Sequence, residues 1–258
     1  MTTLPEWPRS SFFLRPKRPP VDRTRNGRRN GGCRFISPSS CCQRIIIAAH
    51  LKSIALTFSF IDLAADQHLD HAYQQTLNPS RSVPTLVVTR QDGTKTIIRQ
   101  SVSILEYLEE RFPAPTPLLP PRDMPEARAL VRDFVNIITT DVAPPTNARI
   151  TERVRAVRGE RDDQHAFAEA CFADGFRAYE ALLTETWGEA ASGAFTVGEA
   201  VTMADVCLVP TIDQAFMYKM DLSFVPQVQK LYETLKAMPA FQAADWRKQP
   251  DTPDKFRA

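Results

Sequence analysis

A small α/β unit followed by an all-helical unit is the fold that the sequence predicts, and three observations predict it. Strand-like runs rich in β-branched and aromatic residues alternate with helical periods over residues 33–112. Pro113, Pro115, Pro117, Pro120 and Pro121 then break the pattern. After them only helical periods occur.

The elements follow in order. Residues 1–32 contain Pro5, Pro8, Pro16, Pro19 and Pro20 and end in the polar run Arg25-Asn-Gly-Arg-Arg-Asn-Gly-Gly32, which reads as a disordered basic tail. Cys33-Arg-Phe-Ile-Ser37 is the candidate first strand. Ser39-Ser-Cys-Cys-Gln43 opens a helix through Leu51, with Ser40 and Gln43 at capping-box spacing. Leu56–Ile61 reads as a strand and Asp66–Leu77 as a polar helix. Val83–Val88 and Thr94–Ile98 are strands joined by a hairpin at Gln91-Asp-Gly93. Ser101 caps a helix with Ile104, Leu105, Leu108 and Phe112 on one face. The prolines of 113–123 form a semi-rigid extended linker. Residues 124–142, 163–187, 202–219 and 226–238 carry helical periods, within a helical unit spanning 124–258. Thr202 and Asp205 form a structural capping pair before the most apolar of these segments.

Composition narrows the function. The chain has 258 residues, 43% hydrophobic and 24% charged, which excludes wholesale disorder and collagen-like structure. No apolar run approaches the roughly 20 residues that cross a bilayer, so no membrane role is expected. Residues 1–38 hold nine Lys/Arg against Glu6 and Asp22, a net of +7; the chain as a whole is +2, so the remainder carries −5. A mildly acidic body argues against nucleic-acid binding. The Arg-rich start is compatible with a mitochondrial transit peptide, although its prolines oppose the amphipathic helix such a peptide needs. Five cysteines do not make a disulfide scaffold; their odd number suits a reducing compartment, and a cytoplasmic location is expected. The four histidines lack ligand spacing, so no metal is expected.

Three places carry chemistry. Ser39, Ser40 and Cys41 lie at a helix N-terminus, where free N–H groups and the helix dipole stabilise a thiolate, bound or intrinsic. Val83-Pro84 starts a strand; a cis bond there would turn the Val83 backbone outward to pair with an extended peptide. Gln100-Ser101 opens another helix, suited to a carboxylate. Each has a bland reading as well: helix caps at Ser39, Ser40 and Gln100-Ser101, and a fold requirement at Val83-Pro84. A short peptide with a central thiol and a terminal carboxylate, such as glutathione, fits the set.

The order Ser39-Ser-Cys-Cys-Gln-Arg44, Asn78-Pro-Ser-Arg-Ser-Val-Pro-Thr-Leu86 and Gln100-Ser-Val-Ser-Ile-Leu-Glu-Tyr-Leu-Glu-Glu110 resembles the zeta class of glutathione transferases, which includes the maleylacetoacetate isomerases. Val201-Thr-Met-Ala-Asp-Val-Cys-Leu-Val-Pro210 and Arg247-Lys-Gln-Pro-Asp-Thr-Pro253 extend the likeness to about residues 39–258. The resemblance implies the glutathione transferase fold: a thioredoxin-like α/β N-terminal domain (33–112), an all-α C-terminal domain (124–258) and a homodimer. It implies glutathione as cofactor and cis–trans isomerisation of a small dicarboxylate in tyrosine and phenylalanine catabolism. Carried over by position, Ser39 donates to the sulfur with Ser40 and Cys41 beside it, Val83 pairs with the cysteinyl backbone, Gln100 and Ser101 hold the γ-glutamyl end, and Asn147 lines the cleft.

The departures also have content. Pro38 and Gln43 differ from the usual residues, Ala143 replaces a glutathione-contacting side chain, and Met217 stands where the family has an arginine for a substrate carboxylate. Losing such a contact is worth roughly 1.5–3 kcal/mol. Arg44 and Arg149 are other carboxylate partners to weigh. Three further readings stay open: a glutathione transferase acting on another substrate, a thiol–disulfide reductase with Cys41 as nucleophile, and a non-catalytic protein of the same fold.

Overall fold

A computed structural model describes residues 10–13, 39–63, 65–188, 194–250, 252 and 254–257. The first half contains strands β1 (Ser10–Phe13), β2 (Thr57–Ser59), β3 (Thr85–Thr89) and β4 (Lys95–Arg99), with helices α1 (Ser40–Leu51), α2 (His71–Thr76) and α3 (Ser101–Arg111). The strands form one sheet in the order β2-β1-β3-β4. β1 runs parallel to β2 and antiparallel to β3, and β3 pairs antiparallel with β4. A β-α-β unit followed by a β-β-α unit is the expected thioredoxin-like arrangement. The β3–β4 turn carries Gly93 at φ +81°, and the Asp92 carboxylate accepts from the Thr94 N–H at 2.9 Å.

The first strand corrects the sequence reading. It lies at Ser10–Phe13, inside the stretch read as a disordered tail, and residues 33–37, read as the strand, lie outside the described residues. The remaining residues of the 1–32 tail lie outside them too. The physical reason is that a strand is selected by the ladder it completes. Phe12 stands opposite Phe58 on one side and Leu86 on the other. Four residues between prolines carry no local period that reveals those partners.

The second half is helical: α4 (Pro125–Asn136), a π turn (Ile137–Val142), α5 (Ala143–Thr146), α6 (Ala148–Arg158), α7 (Arg161–Trp187), α8 (Met203–Met217), α9 (Pro226–Lys236) and α10 (Pro239–Ala243). Pro125, Pro226 and Pro239 open helices, where a missing N–H is harmless. α8 is buried almost all round and is the spine of this half. Its start is the predicted capping box: Asp205 accepts from the Thr202 N–H at 2.7 Å and hydroxyl at 3.0 Å. Asp205 also accepts from the Thr196 N–H and hydroxyl. α7 approaches the π turn at Gly175, where a Cβ would collide with Val142.

The proline-rich stretch is anchored to both halves. Leu118 and Leu119 are buried. The Lys52 ammonium, at the C-terminal end of α1, donates to Glu109 of α3 at 2.6 Å and to the carbonyls of Phe112 and Thr116 at 2.8 and 3.0 Å. Glu109 also accepts from the Leu118 N–H at 2.8 Å. Leu118 in turn accepts from Met203 at the head of α8. Hydrogen bonding to chain carbonyls fixes a segment that could not hold itself.

Breaking this buried pair leaves a carboxylate without its cation. Lys52→Met is expected to lower the unfolding free energy by about 3–5 kcal/mol, read from urea midpoints. A loss of under about 1 kcal/mol would mean that Leu118 and Leu119 hold the linker alone.

Candidate functional site

α1 begins where the Ser39 hydroxyl oxygen accepts the Cys42 N–H at 3.2 Å, with Ser39 extended as the N-cap (φ −74°, ψ 103°). The capping-box pairing suggested for Ser40 and Gln43 does not form. Ser40 is already helical, and its hydroxyl donates to Gln214 Oε1 at 3.2 Å. Gln43 donates to Asp213 Oδ2 at 2.9 Å. Gln43 thus meets a charged acceptor and Ser40 an amide oxygen, and both side chains cross to α8.

The directions of these bonds decide which protons remain. A hydroxyl that accepts still has a hydrogen to give. That of Ser39 has no acceptor among the described residues, and it lies at the positive end of α1. That of Ser40 is given to Gln214. Ser39 therefore caps and remains a donor at once, so the two readings of it are compatible. Ser40 is the tie to α8.

Arg44 joins the other pieces. It is 1% exposed. Its Nη1 donates to Ser101 Oγ at 3.1 Å and lies 3.9 Å from Cys41 Sγ, and its Nη2 reaches Thr211 Oγ1 at 3.4 Å. Its Nε has no partner. Arg44 thus brings the N-termini of α1 and α3 together and lies beneath them, which removes it as a direct contact for a substrate in an open cleft. Ser101, expected to cap α3, is instead its first helical residue and is buried. Gln100 holds the cap position without a side-chain bond. Its backbone is left-handed, φ 69° and ψ 130°, a conformation costing a non-glycine residue about 1–3 kcal/mol. Its carbonyl accepts the Ile104 N–H at 3.1 Å, fixing the first turn of α3.

The Val83–Pro84 bond is cis, as the strand start suggested. The loop before it is held by Asn78, which is fully buried and donates to the Ser82 carbonyl at 2.8 Å. Tyr73 donates to the same carbonyl at 2.8 Å. Burial, against the pull of its bond to Thr85, pushes the Tyr73 phenol up, which keeps this donor protonated. The Asn-Pro part of the motif is therefore a brace for Val83. Asn147 is exposed and caps α6, accepting from the Arg149 N–H at 3.0 Å. Among the described residues it forms no hydrogen bond with the other candidates; its neighbour Thr146 offers its carbonyl to Gln214 at 2.9 Å.

Sequence reasoning missed Thr211, Asp213 and Gln214 as parts of the site. Their signal was there: three polar residues within the most apolar helix. Asp213 is also the hub of a network, accepting from Tyr232 at 2.6 Å and from Lys236 at 3.1 Å. Burial and then the Asp213 charge push the Tyr232 phenol far up, so it stays a donor. Lys236 also pairs with Asp245 at 3.2 Å, and Asp245 accepts from Arg247 at 2.7 Å. Cys207, one turn before Thr211, is buried; burial pushes its thiol up to about 11, against the opposing pull of Arg44.

Two family models match the chain: glutathione S-transferase, N-terminal domain, over residues 38–111, and glutathione S-transferase, C-terminal domain, over residues 151–246. The maleylacetoacetate isomerase of Aspergillus fumigatus is 41% identical over 220 residues, which cover 85% of this chain and 91% of that protein. Among solved structures, a bacterial zeta-class maleyl pyruvate isomerase in its holo form matches with a TM-score of 0.76 at 27% identity, covering 94% of this chain and 100% of that one. The maleylacetoacetate isomerase of Anaeromyxobacter dehalogenans, with GSH bound in its active site, matches with a TM-score of 0.75 at 29% identity, covering 96% and 100%.

The network behind Asp213 has a pH signature. Burial works against the Asp245 charge, but the Arg247 hydrogen bonds and the Lys236 ammonium outweigh it and hold the carboxyl well below the usual range. A depressed folded value stabilises fully above the unfolded value of about 4 and is lost as pH falls through the folded one. Asp245→Asn is therefore expected to be less stable than wild type at pH 7, with the difference shrinking below about pH 4. Urea midpoints across that range measure it; a difference independent of pH would mean that the Asp245 charge contributes nothing.

Proposed function

The chain belongs to the glutathione S-transferase family, among the maleylacetoacetate isomerases of its zeta class, and from that premise we propose that it isomerises a maleylacetoacetate-type diacid with glutathione as cofactor. The observation that carries the reading is the junction of two helix N-termini through a buried guanidinium, with the Ser39 and Ser101 hydroxyl protons both uncommitted among the described residues. Such a junction suits an anionic ligand that reaches from one helix end to the other. The residues present fit glutathione on the same ground.

Glutathione, when bound, supplies the thiol nucleophile that interrupts the double bond. The chain's part is to hold and orient. The Ser39 hydroxyl and the free N–H groups of the first turn of α1 keep the sulfur anionic at neutral pH. Cys41 lies beside them, and Ser40 fixes the turn against Gln214. Val83 offers its backbone to the cysteinyl backbone, Gln100 and Ser101 hold the γ-glutamyl end, and Asn147 borders the cleft. The described cysteines are all free, consistent with work in the cytoplasm. The same reading carries a homodimer.

The test is isomerisation of maleylacetoacetate and maleylpyruvate with and without glutathione. Activity is expected only with it. Ser39→Ala should lose about tenfold to a hundredfold in kcat/KM, the worth of one hydrogen bond to a charged group. Ser40→Ala and Gln214→Ala should each cost about 1 kcal/mol of stability and leave the ionisation of the bound thiol unchanged. A protein that binds glutathione yet leaves both diacids untouched is not this isomerase. A mixed disulfide at Cys41, absent from Cys41→Ala, would point to thiol–disulfide reduction instead.

A further inference from the structure

Arg44 is a buried cation with no counter-ion. Among the described residues no carboxylate forms an ion pair with it, and its Nε has no acceptor. Its partners are two hydroxyl oxygens and, at 3.9 Å, the sulfur of Cys41. Burying an uncompensated charge is costly, and proteins ordinarily remove the cost with a paired anion. The nearby acids of α8 are engaged elsewhere. Asp213 is tied to Gln43, Tyr232 and Lys236, and Asp205 to Thr196 and Thr202.

The two hydroxyls that accept from Arg44 are not equivalent. Thr211 accepts from Nη2 and gives its own hydrogen to the Cys207 carbonyl at 3.1 Å, so it is complete. Ser101 accepts from Nη1, and its hydrogen has no acceptor among the described residues. The guanidinium occupies the Ser101 oxygen, so the hydrogen is turned away from Arg44. It is left at the first turn of α3, where free backbone N–H groups also gather. A buried donor, polarised by a cation behind it and flanked by a helix N-terminus, lacks only an anion.

We infer that Arg44 is the positioning residue of the carboxylate subsite: it holds the Ser101 hydroxyl as a pure donor and supplies the charge that the α-carboxylate of a γ-glutamyl ligand completes. This rests on the glutathione reading above and assigns a role to a residue that does not itself touch the ligand. Arg is suited to it because its fork reaches Ser101, Cys41 and Thr211 at once. Lysine also has three donors, but they share one nitrogen, whereas these partners are spread over Nη1 and Nη2.

The experiment compares two ligands on three proteins. The ligands are glutathione and its analogue in which the γ-glutamyl α-carboxylate is an amide. The proteins are wild type, Arg44→Met and Ser101→Ala, with dissociation constants from calorimetry and folding checked by circular dichroism. Wild type is expected to prefer glutathione by about tenfold to a hundredfold, the range for a hydrogen bond to a charged group. In Arg44→Met the preference should fall to within about threefold of unity, with glutathione weakened and the amide little changed. Ser101→Ala should lose the same preference. Should Arg44→Met not fold, Arg44→Lys serves: it keeps the charge, loses the fork and should show an intermediate preference. Full discrimination in a folded Arg44 variant overturns the inference and leaves Arg44 as scaffold. An unchanged preference, with alkylation of Cys41 moved to higher pH, overturns it in favour of Cys41 as the counter-ion. Failure of wild type to bind either ligand overturns the glutathione reading itself, a result distinct from both.

Discussion

The molecule depends on the way α1 is held against α8. α1 carries Ser40, Gln43 and Arg44 into the junction between its two halves, with Gln43 and Arg44 almost fully buried. Polar groups so placed must find partners or cost about 1–3 kcal/mol each. α8 supplies all three, from Gln214, Asp213 and Thr211. At the other end of α1, Lys52 is locked to Glu109 and to the linker carbonyls. A helix fixed at both ends by directional bonds has little freedom to slide. Its first turn, with the free hydroxyl of Ser39, is placed by interactions made several residues away.

That clamp also sorts the charges. Asp213 lies on α8 two residues beyond Thr211, about 200° round the helix from the partner of Arg44. It faces Tyr232 and Lys236, and Lys236 is shared with Asp245, which Arg247 completes. The anionic side of α8 is thus turned toward α9 and the residues after α10, and the cationic centre is left toward the ends of α1 and α3. Separating them this way costs electrostatic energy in the empty protein. On the inference drawn for Arg44, an anionic ligand would relieve that cost on binding.

Much of this was legible in the sequence, and what was not has a common physical cause. Local signals worked where the structure is local. The Gln91-Asp-Gly93 hairpin, the Val83–Pro84 strand start and the Thr202–Asp205 capping box all involve residues within a few positions of one another. They failed where the decisive partner is far along the chain. Ser40 and Gln43 have capping-box spacing, yet Gln214 and Asp213, about 170 residues on, compete successfully for them. Ser101 has the composition of a cap, but Arg44 takes its oxygen. The strand at Ser10–Phe13 was passed over because only its ladder with β2 and β3 marks it.

The departures from the family pattern divide along the same line. Gln43 looked anomalous in the helix that bears the sulfur site, and its bond to Asp213 makes it part of the clamp. That change is compensated, so the cofactor side of the site keeps its support. Met217 is different. It lies three residues beyond Gln214, the helical spacing that places two side chains on one face, so α8 leads from the clamp at Gln214 to the position where the resemblance to the zeta class implies an arginine. A thioether there offers no charge, and Lys219, left-handed at φ 62°, lies beyond the end of α8. One helix therefore carries the α1 clamp partners at its middle and a thioether at its end, where the resemblance implies a cation. On the proposed isomerase reading, selectivity among diacids falls to groups on other elements, of which Arg149, exposed in the first turn of α6, is the nearest cation in sequence to Asn147.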